Sequence, residues 1–289
     1  MTRRTGVIAA ASAWLSGCSG ASVLNRLVPD DSYEATEGIA FGPGPRHKLD
    51  VYKPLRTLSG AAPLPLVVFF YGGSWSRGER ADYRFVGEAL AARGAIVVIA
   101  DYRLSPQFRY PVFLEDSALA VKWAFENAAR LGAAPSSVLV MGHSAGAYNA
   151  AMLALDSRWL RGAGVTGNQK LAGWIGLAGP YDFLPIGDPE TRVAFGWPNT
   201  AADTQPITHV SPQAPRGLLL AAAKDDKVNP QRSTVGLAER LKAAGVPTTL
   251  KLYERVNHVT LLASMAQPLR WLAPVRDDVV EFLGLPQPG

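Results

Sequence analysis

The sequence predicts an α/β fold, a mostly parallel central sheet with helices on both faces. Three observations predict it. Strand-like and helix-like segments alternate from about residue 36 onward, as repeated β-α-β units require. The run "LPLVVFF" is apolar without alternation, the pattern of a strand buried on both faces. The chain has 289 residues, 48% of them hydrophobic and 18% charged, enough to bury one sizeable core.

The elements follow in order. "HKLDVYKP" (47–54) reads as an early strand at an antiparallel edge, and "LPLVVFFYGG" (64–73) as a central strand ending in glycines. "DYRFVGEALAARG" has helical spacing and a glycine stop. The strand "AIVVIADYR" and the long helix "VFLEDSALAVKWAFENAARLG" come next. They are followed by "SSVLVMG", the small-residue helix "AGAYNAAMLAL" and the strand "AGWIGLAG". Residues 183–215 are rich in proline, polar residues and aromatics, and read as a short insertion over the sheet rather than a full cap domain. "RGLLLAAA", "STVGLAERLKAAG", "TTLKLYE" and "VRDDVVEFLG" complete the pattern. No internal repeat interrupts it, and residues 36–289 read as one domain.

The N-terminus has a different composition. Arg3 and Arg4 precede a short apolar run from Val7 to Leu15, with small residues after it, as in a secretory signal. The run is shorter than the ~20 apolar residues a membrane span needs. Leu15-Ser16-Gly17-Cys18 resembles the bacterial lipobox, which implies a signal over residues 1–17, a lipid on Cys18 and a tether over residues 18–35. By the same resemblance, Ser19 favours the outer membrane; an ordinary cleaved signal with a periplasmic or secreted product is the alternative. Cys18 is the only cysteine, so no disulfide is expected. Losing residues 1–17 removes two arginines, which leaves 27 basic and 24 acidic side chains and a net charge of +3. Lipid rather than charge would then hold the protein to a membrane. No basic run or basic helical face points to nucleic acid.

Chemistry concentrates in "VLVMGHSAGAYNA". Ser144 stands between Gly142 and Gly146, after an apolar strand and at the start of a helix, which makes an otherwise weak G-x-S-x-G match informative. Such a turn pushes the serine hydroxyl out and sets helix-terminal amides beside it. A serine needs a general base. Of the four histidines, His143 adjoins the serine and reads as packing, His47 lies in the early hairpin, and His209 lies in the insertion as a rim candidate. His258, in "LYERVNHVTLL", follows the final strand and is expected on a loop at the same sheet edge as Ser144. The imidazole needs a carboxylate to orient it; Asp225 and Asp226, in "AAAKDDKVNP", follow a buried strand, and Asp182 follows the preceding one.

These segments, with "FFYGGSWSRG" and "DYRLSPQFRYPVFLED", resemble the esterase and lipase branch of the α/β-hydrolase superfamily over roughly residues 40–285. They are most similar to its hormone-sensitive-lipase-like carboxylesterases and the formamidase and feruloyl-esterase-like group. The resemblance implies the serine–acid–histidine order Ser144, Asp225, His258. It prefers Asp225 to Asp226 because the family acid lies three residues before a valine, here Val228. It also implies an oxyanion hole from the amides of Gly73, Ser74 and Ala145, with Tyr71 where the HGGG loop carries histidine.

The implied activity is hydrolysis of a small-molecule carboxylic ester of short to moderate acyl chain, with no metal or organic cofactor. An arylformamidase or amidase using the same triad is an alternative, as is a catalytically silent lipoprotein that binds without turnover. Trp75, Tyr148 and Trp197, with Phe195, are the aromatic candidates for a substrate pocket.

Overall fold

The computed structural model describes residues 23–55, 63–166 and 169–286. The expected signal, Cys18 and Ser19 lie outside them. Eight strands form one sheet in the order β1-β2-β4-β3-β5-β6-β7-β8. They are β1 (Tyr33–Ala40), β2 (Lys48–Pro54), β3 (Leu64–Phe70), β4 (Ile96–Ala100), β5 (Ala133–His143), β6 (Gly173–Leu177), β7 (Gly217–Ala222) and β8 (Thr248–Tyr253). β1 pairs antiparallel with β2, and β2 antiparallel with β4. From β4 to β8 every pairing is parallel. The α/β-hydrolase architecture follows from this order.

Burial explains the arrangement. All five residues of β4 and the last five of β3 are buried, because helices cover both faces of the central strands. The long helix Val112–Leu131 ends at Gly132, whose φ of 92° closes it in the left-handed conformation. The helix Ala145–Leu155 buries ten of its eleven residues. Its sequence is apolar all round, so it sits inside the molecule rather than on its surface.

Strand order positions the site. The chain leaves β3 towards β4 and then crosses back to place β5 on the other side of β3. The connections leaving β3 and β5 therefore diverge, and they open a crevice at the carboxyl ends of these strands. Phe70 of β3 pairs in register with Gly142 of β5, so the loop after Tyr71 and the turn at Ser144 emerge side by side.

The N-terminal side and the insertion add detail to the expected layout. Within the stretch expected as a tether, residues 23–35 pack against the fold. Leu24 is buried, Asn25 bonds to Ala81 and Phe85, and Tyr33 opens a strand that packs its ring on Tyr52. Strand β1 escapes a pattern search because four of its eight residues are exposed in succession, as an edge strand allows. The insertion over residues 183–215 carries a helix of its own, Pro189–Phe195, capped by the Asp188 side chain and started by a proline.

Candidate active site

Ser144 joins β5 to the helix Ala145–Leu155 with φ 54° and ψ −121°, a conformation sparsely populated by non-glycine residues. The flanking glycines make the turn sterically feasible. A Cβ on Gly146 would lie 2.0 Å from the Phe70 carbonyl oxygen, and one on Gly142 would lie 2.1 Å from the Gly146 carbonyl oxygen. Ser144 faces a cavity of about 800 Å³. Its hydroxyl makes no hydrogen bond among the described residues, an arrangement common where substrate completes the geometry.

His258 lines the same cavity. It is the first residue of a short helix, His258–Ala263, rather than a loop residue. Asn257 and Thr260 cap that helix reciprocally. The His258 Nδ1 lies 2.7 Å from Asp225 Oδ2. A carboxylate only accepts, so Nδ1 carries a proton, and in the neutral ring Nε2 is the nitrogen with the free lone pair. The other oxygen, Asp225 Oδ1, accepts from the amides of Lys227 at 2.8 Å and Val228 at 3.0 Å. Burial works against ionisation of Asp225. The bond from His258, its positive charge when protonated, and the two amides outweigh that effect and hold the carboxyl below the usual carboxylate range.

The remaining acids and histidines are engaged elsewhere. Asp226 is solvent-exposed at the cavity edge and pairs with Lys227, while Asp182 pairs with Arg232. His47 bonds Asp116 at 2.9 Å. His209 is no rim residue, since it bonds the Asp203 carbonyl and does not line the cavity. His143 is more than packing. Its Nε2 donates to the His258 backbone carbonyl at 2.9 Å, and the two rings stand 4.9 Å apart. A backbone acceptor leaves no trace in a sequence, so no motif could have revealed this bond.

Gly73, Ser74 and Ala145 all border the cavity, and their amides have no protein acceptor among the described residues. Gly73 adopts φ 122°, and a Cβ there would lie 2.3 Å from the Arg77 carbonyl oxygen. The Gly73 carbonyl accepts from the Ser76 and Arg77 amides at 2.9 and 3.2 Å, which folds the loop into a compact turn. Ser74 follows with φ 49° and Trp75 with φ 55°. A Cβ on Gly72 would lie 2.9 Å from Ser144 Cβ, so this loop rests directly against the serine turn.

Tyr71 anchors the loop from below. It is fully buried, and its ring stacks between Tyr83 and Tyr102. Its hydroxyl donates to Asp101 Oδ1 at 2.8 Å and accepts from Arg46 at 2.6 Å. Arg46 also donates to the Gly78 carbonyl at the far end of the same loop. A tyrosine thus reaches, through its longer side chain, an aspartate and an arginine that clamp both ends of the loop.

The pocket aromatics divide. Trp75 lines the cavity and donates its indole N–H to Asn149 at 3.0 Å. Tyr148 and Trp197 do not line it. Tyr148 is wholly buried beneath Trp75 and Phe195, with its hydroxyl given to the Thr204 carbonyl. Trp197 packs against the core beyond Gly196, and Phe195 is buried there as well. Phe183, Ile186, Val228 and Leu262 supply apolar wall instead. Among the described residues, no group of three or more histidine, cysteine or acidic side chains could hold a metal ion.

Fold and turn together define a member of the α/β-hydrolases. The chain belongs to the BD-FAE family, whose model matches residues 49–241. It is similar to a probable isoprenylcysteine alpha-carbonyl methylesterase of Oryza sativa subsp. japonica, 28% identical over 272 residues, which cover 86% of this chain and 63% of that protein. Carboxylesterase NlhH of Mycobacterium tuberculosis is 45% identical over 96 residues, covering 33% of this chain and 30% of that protein. The chain thus spans less than two thirds of the length of these relatives. The fold is shared with esterase B of Lactobacillus rhamnosis at a TM-score of 0.77 and 19% identity, covering 96% of this chain and 95% of that one.

Proposed function

We propose that the protein hydrolyses small-molecule carboxylic esters of short to moderate acyl chain through an acyl-enzyme on Ser144. The observation that carries this reading is one cavity bordered by the Ser144 turn and by His258, whose far nitrogen is tied to Asp225. The names of the relatives, methylesterase and carboxylesterase, support it.

The chemistry follows from the atoms. Ser144 Oγ attacks the ester carbonyl carbon while His258 Nε2 takes its proton. Asp225 stays ionised and stabilises the imidazolium through the Nδ1–H bond. The amides of Gly73, Ser74 and Ala145 receive the negative oxygen, each donor being worth about 3–4 kcal/mol. The imidazolium then protonates the leaving alcohol. Water then gives a proton to Nε2 and attacks the acyl carbon, the bond to Ser144 Oγ breaks, and Nε2 returns the proton to Oγ as the acid leaves. The apolar walls suit an ester of moderate size, since pockets of about 300–1,000 Å³ enclose drug-sized ligands.

The lipobox-like Leu15-Ser16-Gly17-Cys18 supports a second part of this reading, a lipid on Cys18 that holds the enzyme in the bacterial cell envelope, with Ser19 favouring the outer membrane. Globomycin-sensitive incorporation of radiolabelled palmitate, lost in Cys18→Ala, is the expected result; no incorporation would remove the anchor.

Turnover of nitrophenyl esters across acyl lengths, alongside the matching anilides, tests the activity. Wild type should cleave the shorter esters faster than the anilides, and Ser144→Ala should lose at least about 10⁴-fold in kcat. Ester turnover retained by Ser144→Ala would remove the serine from the reaction. Preference for the anilides would make the protein an amidase.

A further inference from the structure

We propose that His143 is a positioning residue that sets the separation of Ser144 and His258 by tying the base's own backbone to the neighbour of the nucleophile. The inference rests on the serine-hydrolase reading. Its geometry is specific. The His143 Nε2–H donates to the His258 carbonyl at 2.9 Å across 115 residues of sequence. Ser144 is the next residue after His143, so one peptide unit and one hydrogen bond connect nucleophile and base. No other hydrogen bond joins the serine turn, residues 142–146, to the helix His258–Ala263 among the described residues.

The direction of this bond is determined by its acceptor. A carbonyl oxygen can only accept, so Nε2 carries the ring proton and Nδ1 faces the loop, 3.2 Å from where a Cβ on Gly72 would stand. His143 therefore touches all three parts of the site, namely the serine turn, the base and the loop carrying the Gly73 and Ser74 amides. Two titratable groups face it, His258 and Asp225. Burial first, and the charge of His258 second, push its pKa down to about 3. A ring that stays neutral can lie 4.9 Å from His258 without repelling the imidazolium that forms there during each turnover. A lysine or arginine could donate the same bond, but it would place a fixed charge beside that imidazolium.

Two variants of matched length separate donation from packing. His143→Gln keeps an N–H donor at similar reach, whereas His143→Met fills similar space without one. The Met variant should lose about 10- to 100-fold in kcat, as expected when reacting groups shift by a fraction of an ångström. Its KM should stay within about threefold, and the Gln variant should stay within about threefold of wild type in both constants. Equal kcat values for Gln and Met would overturn the proposal, as would a loss confined to KM.

A measurement on wild type stands apart from any folding failure of the variants. With histidine labelled with both nitrogen-15 and carbon-13, the His143 ring should hold one Nε2–H tautomer from pH 5 to 9, with a scalar coupling to the carbonyl carbon of His258. A ring that titrates in that range, or lacks the coupling, would also overturn it. If wild type itself cleaves no ester while the coupling is present, the hydrolase reading fails and the tie between the two segments stands.

Discussion

The imidazole of His258 and the carboxylate of Asp225 meet at 2.7 Å although 33 residues separate them in the chain. Each stands just past the end of a strand, β8 and β7, and those strands are paired neighbours. The fold brings the pair together before any substrate arrives. The oxygen of Asp225 not bound to His258 is spent on two amides of its own turn, which fixes the carboxylate plane and with it the ring.

Asp225→Asn should cost about 10³- to 10⁴-fold in kcat, because an amide cannot hold the Nδ1–H tautomer or offset the imidazolium charge. Stability should change with a defined pH signature. The folded carboxyl lies below the unfolded value of about 3.9. Its contribution is therefore complete above that value and is lost as pH falls through the folded pKa. Urea unfolding of wild type and Asp225→Asn should differ at pH 7, and the gap should shrink as pH falls below the unfolded carboxyl value; a gap independent of pH would contradict this.

Gly73→Ala should fold but turn over slowly. The new Cβ would lie 2.3 Å from the Arg77 carbonyl oxygen, so the turn must open and carry the Gly73 and Ser74 amides away from the serine. A loss of about 10²- to 10³-fold in kcat is expected, read by nitrophenyl ester kinetics alongside an unchanged near-ultraviolet circular dichroism spectrum.

Gly146→Ala should fail earlier, at folding. Its Cβ would meet the Phe70 carbonyl at 2.0 Å, and both atoms belong to rigid core elements that cannot give way. A destabilisation above about 4 kcal/mol is expected, measured as a drop in the urea midpoint or as loss of soluble protein.

Tyr71→Phe should leave the ring stack in place and strip the Asp101 and Arg46 bonds from a buried site. The expected loss is about 1–3 kcal/mol, with kcat falling more than KM rises because the loop above it loosens. Equal stability of the two proteins would show that the hydroxyl does not anchor the loop.

Much of this architecture was legible in the chain. Strands and helices signalled themselves through local runs, and Ser144, Asp225 and His258 each follow a readable strand, where they are found. The unreadable parts share a physical cause, which is dependence on distant partners. Tyr71 finds Arg46 and Asp101 on two other segments, and His143 finds a backbone carbonyl. The helix Ala145–Leu155 is almost wholly apolar, so nothing in its sequence says that Tyr148 turns away from the cavity. Strand β1 was hidden because an edge strand with four exposed residues in a row carries no alternation to read.

The most direct test of the central claim is mass spectrometry after exposure to a fluorophosphonate, which reacts fastest with a serine whose proton a neighbouring base removes. One adduct on the peptide carrying Ser144, formed in wild type and at least about 10²-fold slower in His258→Gln, is the predicted result. Folded wild-type protein with no adduct, or with an adduct on another residue, would contradict the account.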